Sequence, residues 1–181
     1  MQPTIRAILA VLLLGGCQER TEPEEPLALP GTEIGQQAPV LRGQLPSGDS
    51  LRVDSPPGNP TVLVFYRSIE CGLCRVQLEQ MQDNKAAYDR ADAALVAVTL
   101  DPPNLSRAWI DDVSLDFPLV SVDSVTFRTW GAISAERAVP RPATYVLDGL
   151  GIVRFKHVGR NASDRTTDAE VIAILESVRG T

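Results

Sequence analysis

The chain has 181 residues, 44% of them apolar and 22% charged, with a formal net charge of −6. That balance fits one globular domain with a real core and excludes a disordered chain. The charge surplus is acidic and no basic stripe is present, which argues against a nucleic-acid partner.

Residues 1–16 read as a targeting segment outside the fold. Arg6 gives a positive start, and Ala7 to Leu14 is an unbroken apolar run too short to span a bilayer. The run ends in Leu14-Gly15-Gly16-Cys17, the small residues expected where a signal peptide is cut. Residues 17–37 then read as a flexible tether rich in Glu and Pro, with no hydrophobic period. Such a segment cannot bury enough surface to order itself. The folded domain is expected over 38–178.

Val40 to Leu45 and Ser50 to Val53 flank Pro46-Ser47-Gly48-Asp49, a turn composition, and predict a lead-in hairpin. Pro56-Pro57-Gly58-Asn59-Pro60 reads as the loop before the central stretch. Thr61 to Tyr66 is an apolar run with the signature of a buried strand. It leads into Cys71-Gly72-Leu73-Cys74. Cys74, Leu78, Met81, Lys85 and Tyr88 step by four, three, four and three, which is one face of a helix. Cys74 therefore points inward with Leu78 and Met81. Cys71 sits one turn earlier, at the helix mouth, where unsatisfied N–H groups and the positive dipole end favour an anion. A thiolate is such an anion. Cys71 is thus the expected nucleophile with a lowered pKa, and Cys74 the shielded partner that closes a disulfide with it.

Strand, Cys-x-x-Cys, helix reads as a redox site when βα units follow. A structural zinc site needs four ligands, commonly Cys and His. The chain has three cysteines and one histidine, and no metal or cofactor is expected. Two other readings stay open: a metal-binding module on Cys71, Cys74 and His157, and a lipoprotein whose cysteine pair is a permanent disulfide.

Ala94 to Leu100 is the next apolar strand. Asn104 is placed to cap a short helix through Trp109 and Ile110. Phe117 to Val122 is strand-like, and Asp123 or Ser124 opens a helix that stops at Gly131. Ala143 to Asp148 and Ile152 to Val158 flank Asp148-Gly149-Leu150-Gly151 as a second hairpin. Thr167-Asp168-Ala169-Glu170 is a capping box opening a last amphipathic helix through Val171, Ile174, Leu175 and Val178. Trp109 and Trp130 read as core or rim residues. Alternating strands and helices predict an α/β fold, a mostly parallel sheet with helices on both faces and an antiparallel closing hairpin.

Several segments carry a family likeness: Ile34-Gly35-Gln36-Gln37-Ala38-Pro39, Val64-Phe65-Tyr66-Arg67 before Cys71-Gly72-Leu73-Cys74-Arg75, Thr99-Leu100-Asp101, and Arg141-Pro142-Ala143-Thr144-Tyr145-Val146-Leu147-Asp148. Together they resemble the thioredoxin superfamily, and within it the peroxiredoxin-like alkyl hydroperoxide reductase/thiol-specific antioxidant (AhpC/TSA) family. The resemblance implies a thioredoxin-like three-layer fold, a mixed sheet flanked by helices with an N-terminal β-hairpin. It implies first a thiol–disulfide oxidoreductase with Cys71 nucleophilic and Cys74 resolving, and as the alternative a hydroperoxide reductase acting through a Cys71 sulfenic acid. Partners would be a thiol or disulfide substrate, protein or small molecule, or a hydroperoxide, with an external thiol reductant or oxidant. It also suggests that Pro142 is a cis-proline facing the cysteine pair. A cis bond there would put the Arg141 backbone beside Cys71, ready to pair with an extended peptide.

Leu14 to Cys17 resembles the bacterial lipobox, which implies lipidation of Cys17 and a membrane anchor in the bacterial cell envelope. By the same resemblance, Gln18 rather than Asp suggests the outer membrane, facing the periplasm. The sequence departs from the peroxidase pattern at Val64, which stands where Pro is usual, and at Ser68, which stands for Thr but keeps a hydroxyl. The peroxidase arginine falls near Pro142, with Arg141 as its neighbour. Ser68 and Arg141 are therefore the groups expected to orient a peroxide. Reductases of cytochrome maturation carry a Glu where Gln77 stands. Copper chaperones of the superfamily place three residues between their cysteines and the His earlier in the chain, which disfavours copper at His157.

Overall fold

A computed structural model describes residues 31–53, 59–134, 136 and 138–178. The expectations for the signal segment, for Cys17 and for most of the tether lie outside these residues, as does part of the 56–60 loop.

Among the described residues seven strands form one sheet in the order β2-β1-β5-β4-β3-β6-β7. β3 (Thr61–Phe65) is central. It pairs in parallel with β4 (Ala94–Thr99), and β4 pairs in parallel with β5 (Leu119–Ser121). On its other side β3 runs antiparallel to β6 (Ala143–Leu147), which pairs with β7 (Val153–Val158). The lead-in hairpin, β1 (Leu41–Gln44) and β2 (Ser50–Val53), docks by Gln44 against Ser121 of β5. The sequence predicted this mixed sheet with its two hairpins. What it did not show was where the first hairpin would attach.

Every residue of β3 is buried, because both sheet faces are covered. Strand alternation divides them. Val62 and Val64 join Tyr66, Cys74, Leu78, Met81, Trp109 and Leu175 in one core. Leu63 and Phe65 join Phe127, Trp130 and Tyr145 in the other. The first core is closed by α1 (Gly72–Asp83), α2 (Lys85–Arg90), α3 (Pro103–Val113) and α5 (Asp168–Val178), the second by α4 (Ser124–Thr129). Among the described residues no helix is long and apolar enough to cross a membrane.

Three local expectations change. The helix after the cysteines breaks at Asn84, whose side-chain amide donates to Gln80 O at 3.1 Å and to Asp168 Oδ2 at 2.7 Å. Those bonds compete with the helical ladder, so Lys85 and Tyr88 continue the stripe on a separate short helix. Asn104 is not a cap. Pro102 holds the N-cap of α3 with Pro103 in the first turn, where a missing N–H costs nothing. Finally, the packed domain begins before residue 38. Gly35 N donates to Val153 O at 2.8 Å, Gln37 pairs with Ile152, and Lys156 reaches Glu33 at 2.6 Å. Gly35 has a φ of +88°, which lets residues 31–37 turn back along the β6–β7 hairpin.

Other local signals hold. The Asp123 carboxylate accepts from Thr126 N at 2.7 Å at the start of α4. Thr167 and Glu170 form the capping box, with Thr167 N donating to Glu170 Oε2 at 2.7 Å and Glu170 N to Thr167 Oγ1 at 3.3 Å.

Candidate active site

The site forms at the carboxyl end of β3, where the chain leaves the sheet and turns into α1. Tyr66 N still bonds Val98 O on β4. Ile69 N then donates to the carboxylate of Asp101 at 2.7 Å. Asp101 is buried, and its own N–H is held by Thr99 Oγ1 at 3.1 Å. A buried carboxylate on the loop after β4 thus pins the loop that carries the first cysteine. In the sequence Thr99-Leu100-Asp101 stands out only as a family likeness; the bond from Ile69 to Asp101 spans 32 residues and leaves no local signal.

Cys71 is the N-cap of α1, with extended backbone at φ −84° and ψ 112°. Its carbonyl accepts from Cys74 N at 2.9 Å and Arg75 N at 3.1 Å. Cys71 is partly exposed, Cys74 is fully buried against Leu78 and Met81, and both are unbridged thiols. Partial burial pushes the Cys71 thiol up. Hydrogen bonding from the Cys74 side chain and N–H, the charge of Arg165 and the Leu73 N–H outweigh it, so its pKa lies below the ordinary cysteine value.

Arg165 is the residue that sequence reasoning missed. Its Nη2 donates to Cys74 Sγ at 3.3 Å, its Nη1 to Gln77 Oε1, and its Nε to Ala162 O at 2.8 Å. The loop that carries it is held over the site by Gly159. Gly159 N donates to Pro142 O at 2.8 Å, and a Cβ at Gly159 would lie 2.2 Å from Asp164 O.

Among the described residues four arginines, Arg67, Arg141, Arg160 and Arg165, line a cavity of about 490 Å³ that opens on Cys71. Pro142 lines it too, but the Arg141–Pro142 peptide is trans, against the expectation. The physical reason lies in the neighbouring segment. Pro140 bridges to Ile133, and Arg141 N donates to Ala132 O at 2.8 Å, so this stretch is already extended and paired. The Arg141 backbone N–H is spent within the fold and is not free for a substrate peptide. Arg141 is nonetheless a lining residue of the cavity. Its Nη2 donates to Gly131 O at 3.2 Å, while its Nε is buried without an acceptor.

Ser68 is not brought to the cavity wall. Its hydroxyl accepts from Glu70 N at 3.2 Å and its carbonyl from Cys71 N at 3.1 Å, so it shapes the turn before the helix. His157 lies 3.1 Å from Asp164 Oδ1. Among the described residues no group of His, Cys, Asp and Glu stands close enough to hold a metal ion.

The AhpC/TSA family model matches residues 34–156. The chain belongs to the AhpC/TSA family. Within that family's breadth, it is 27% identical over 97 residues to alkyl hydroperoxide reductase E of Mycobacterium tuberculosis, a stretch covering 52% of this chain and 63% of that protein. It is 30% identical over 134 residues to the thioredoxin-like protein YneN of Bacillus subtilis, covering 71% of this chain and 74% of that one. Among solved structures, peroxidoxin BcpB of Mycobacterium tuberculosis superposes with a TM-score of 0.73 at 18% identity, over 82% of this chain and 99% of that one. The match begins at residue 34, inside the stretch that turns back along β7. This AhpC/TSA chain thus carries the family fold, with Cys71 at the mouth of α1.

Proposed function

We propose that the protein is a thiol-dependent hydroperoxide reductase that uses Cys71 and Cys74 as a two-cysteine pair. The observation that carries this reading is at Arg141. Its backbone N–H is closed off by Ala132 O, while the residue lines a cavity open to Cys71. A site of that kind offers little to an extended peptide and suits a small oxidant.

In the reaction, the Cys71 thiolate attacks the distal peroxide oxygen. The O–O bond breaks, the sulfur becomes a sulfenic acid, and the other oxygen leaves and is protonated to alcohol or water. Cys74, one helical turn away, then attacks the Cys71 sulfur. The S–O bond breaks, water leaves, and the Cys71–Cys74 disulfide remains. An external dithiol reductant restores both thiols with its own oxidation to a disulfide. Arg165 assists both sulfurs, by charge at Cys71 and by its hydrogen bond at Cys74.

The second reading is a general thiol–disulfide oxidoreductase. The Cys-x-x-Cys spacing itself, with the second sulfur buried under the first, favours it, as does the likeness to a thioredoxin-like protein. Stopped-flow oxidation of the reduced protein separates the two. Hydrogen peroxide should react much faster than a test disulfide, and Cys74→Ser should then accumulate a Cys71 sulfenic acid that dimedone labels. A disulfide that outpaces every hydroperoxide, with a mixed disulfide trapped in the same variant, would establish the second reading instead.

The cellular setting is part of the proposal. Leu14-Gly15-Gly16-Cys17 supports lipidation of Cys17 and attachment to the bacterial envelope, on the periplasmic face of the outer membrane. Cys17→Ser should release the protein to the soluble fraction or block its processing. A wild-type protein that is already soluble would remove the anchor.

A further inference from the structure

We infer that one rung of the β6–β7 ladder, Thr144 opposite His157, holds the Arg165 guanidinium in place for the cysteine pair, with His157 as the positioning residue. This role requires only that Cys71 and Cys74 are the redox pair, whichever oxidant they meet.

The two residues of the rung grip the chain on either side of Arg165. Thr144 Oγ1 lies 2.8 Å from Thr166 Oγ1. His157 Nε2 lies 3.1 Å from Asp164 Oδ1 and 3.4 Å from Asp164 O. Asp164 and Thr166 are the immediate neighbours of Arg165 in the chain. Residues directly opposite in an antiparallel ladder share one face, and the ladder fixes their spacing. The rung is therefore a firm base. Fixing both neighbours of Arg165 fixes the backbone from which its guanidinium reaches Cys74 Sγ at 3.3 Å. A long side chain on a fixed base has less freedom to lose when it makes that bond.

Asp164 is the hub of the loop. Its Oδ2 accepts from Arg160 N at 2.9 Å and Arg160 Nε at 3.1 Å, and its N–H donates to Asn161 Oδ1 at 3.1 Å. Those bonds shape the loop but stay within it. His157 ties the hub to the sheet. The Arg160 side chain is 90% exposed, so its ion pair with Asp164 is screened and contributes little. The His157 and Asp164 side chains are 32% and 20% exposed, and a contact at that depth is screened less.

Both oxygens nearest His157 Nε2 are acceptors, so Nε2 carries a hydrogen. A neutral imidazole supplies it, and the clamp therefore works without protonation of the ring. Glu170 of α5 is the other carboxylate whose charge meets the ring, and it is engaged by Thr167 in the capping box.

The test follows the pH–rate curve for alkylation of Cys71 by iodoacetamide in the reduced protein. Two amide substitutions separate the hydrogen bond from the bulk of the ring. Glutamine places its amide nitrogen close to the position of Nε2, and asparagine falls short of it. His157→Asn should move the curve to higher pH and lower the rate at neutral pH by about threefold, because a loosened Arg165 favours the thiolate less. His157→Gln should restore most of that rate. In an Arg165→Ala background His157→Asn should change the rate by less than about 1.5-fold, since two residues that act through one contact are not additive. Loop packing is read separately, by trypsin cleavage after Arg160 in the folded protein. His157→Asn should speed that cleavage severalfold and His157→Gln should not.

A curve that His157→Asn leaves unmoved overturns the positioning role. The same shift with Arg165 absent overturns it equally, because His157 would then act on Cys71 by another route. Glutamine no better than asparagine overturns the hydrogen bond as the means, and cleavage unchanged in both variants overturns the clamp on the loop. The test uses no peroxide, so a protein that fails to reduce hydroperoxides still gives one of these results.

Discussion

The Arg165 guanidinium donates to the buried Cys74 sulfur at 3.3 Å, although 91 residues separate the two in the chain. The same charge lowers the pKa of Cys71. One cation from the loop before the last helix therefore serves both thiols of a motif that is otherwise local.

Removing that charge should raise the Cys71 pKa, because the thiolate loses an attractive partner while its desolvation stays. In Arg165→Ala the pH–rate curve for Cys71 alkylation should shift to higher pH. Below the shifted pKa the rate should fall by about threefold to tenfold, since a unit of pKa is a factor of ten in thiolate. Arg165→Lys should restore part of it. In every variant mass mapping should find Cys71 labelled well before Cys74, which is buried. Cys74 labelled first would reverse the two roles.

Ser68 and Arg141 should differ in effect. Arg141 lines the cavity, whereas the Ser68 hydroxyl is held in the turn by Glu70 N. Arg141→Ala should slow peroxide reduction by about tenfold or more, the scale of losing one charged donor to the transition state. Ser68→Ala should cost far less. Stopped-flow rates with hydrogen peroxide decide it, and equal losses would return Ser68 to the site.

Gly159 allows the Arg160–Arg165 loop to lie against Pro142. A Cβ there would meet Asp164 O at 2.2 Å and Pro142 Cγ at 2.8 Å. Gly159→Ala should cost about 1–3 kcal/mol in denaturant unfolding, the usual penalty of overpacking. It should also weaken Cys71 reactivity, because Arg165 moves with the loop. A variant as stable and as reactive as the wild type would show that the loop yields freely.

Asp148 organises the β6–β7 turn. Its carboxylate accepts from Leu150 N and Ile152 N, both at 2.9 Å, and from Arg154 Nε at 2.7 Å. Burial pushes its pKa up, but the Ile152, Arg154 and Leu150 hydrogen bonds outweigh it and hold the group below the usual carboxylate range. The native state thus binds its proton more weakly than the unfolded chain. The stability it contributes is present above the unfolded pKa, near 4, and is lost as pH falls through the lower native value. Asp148→Asn should destabilise the protein at neutral pH, with a smaller difference from wild type at about pH 2–3. A penalty independent of pH would mean that shape, not charge, is what the turn needs.

The placement of the two cysteines was legible in the sequence because it rests on local geometry. A strand that ends, a helix that begins and a stripe stepping by three and four place Cys71 at the mouth and Cys74 inside, whatever the rest of the chain does. The sheet was legible for a similar reason, since strand and helix signals alternate along the chain. Other features depend on residues far apart in sequence, and only tertiary packing decided them. Asp101 reaches Ile69 across the β3–β4 edge, and Arg165 reaches Cys74 across the sheet end. Ala132 takes the Arg141 N–H, so the family's expected cis-proline is a trans bond in a paired segment. Residues 31–37 have a tether's composition, yet they find unpaired carbonyls along the edge of the β6–β7 hairpin. Hydrogen-bond partners of this kind carry no periodicity, so a sequence shows the donor and the acceptor but not that folding brings them within 3 Å.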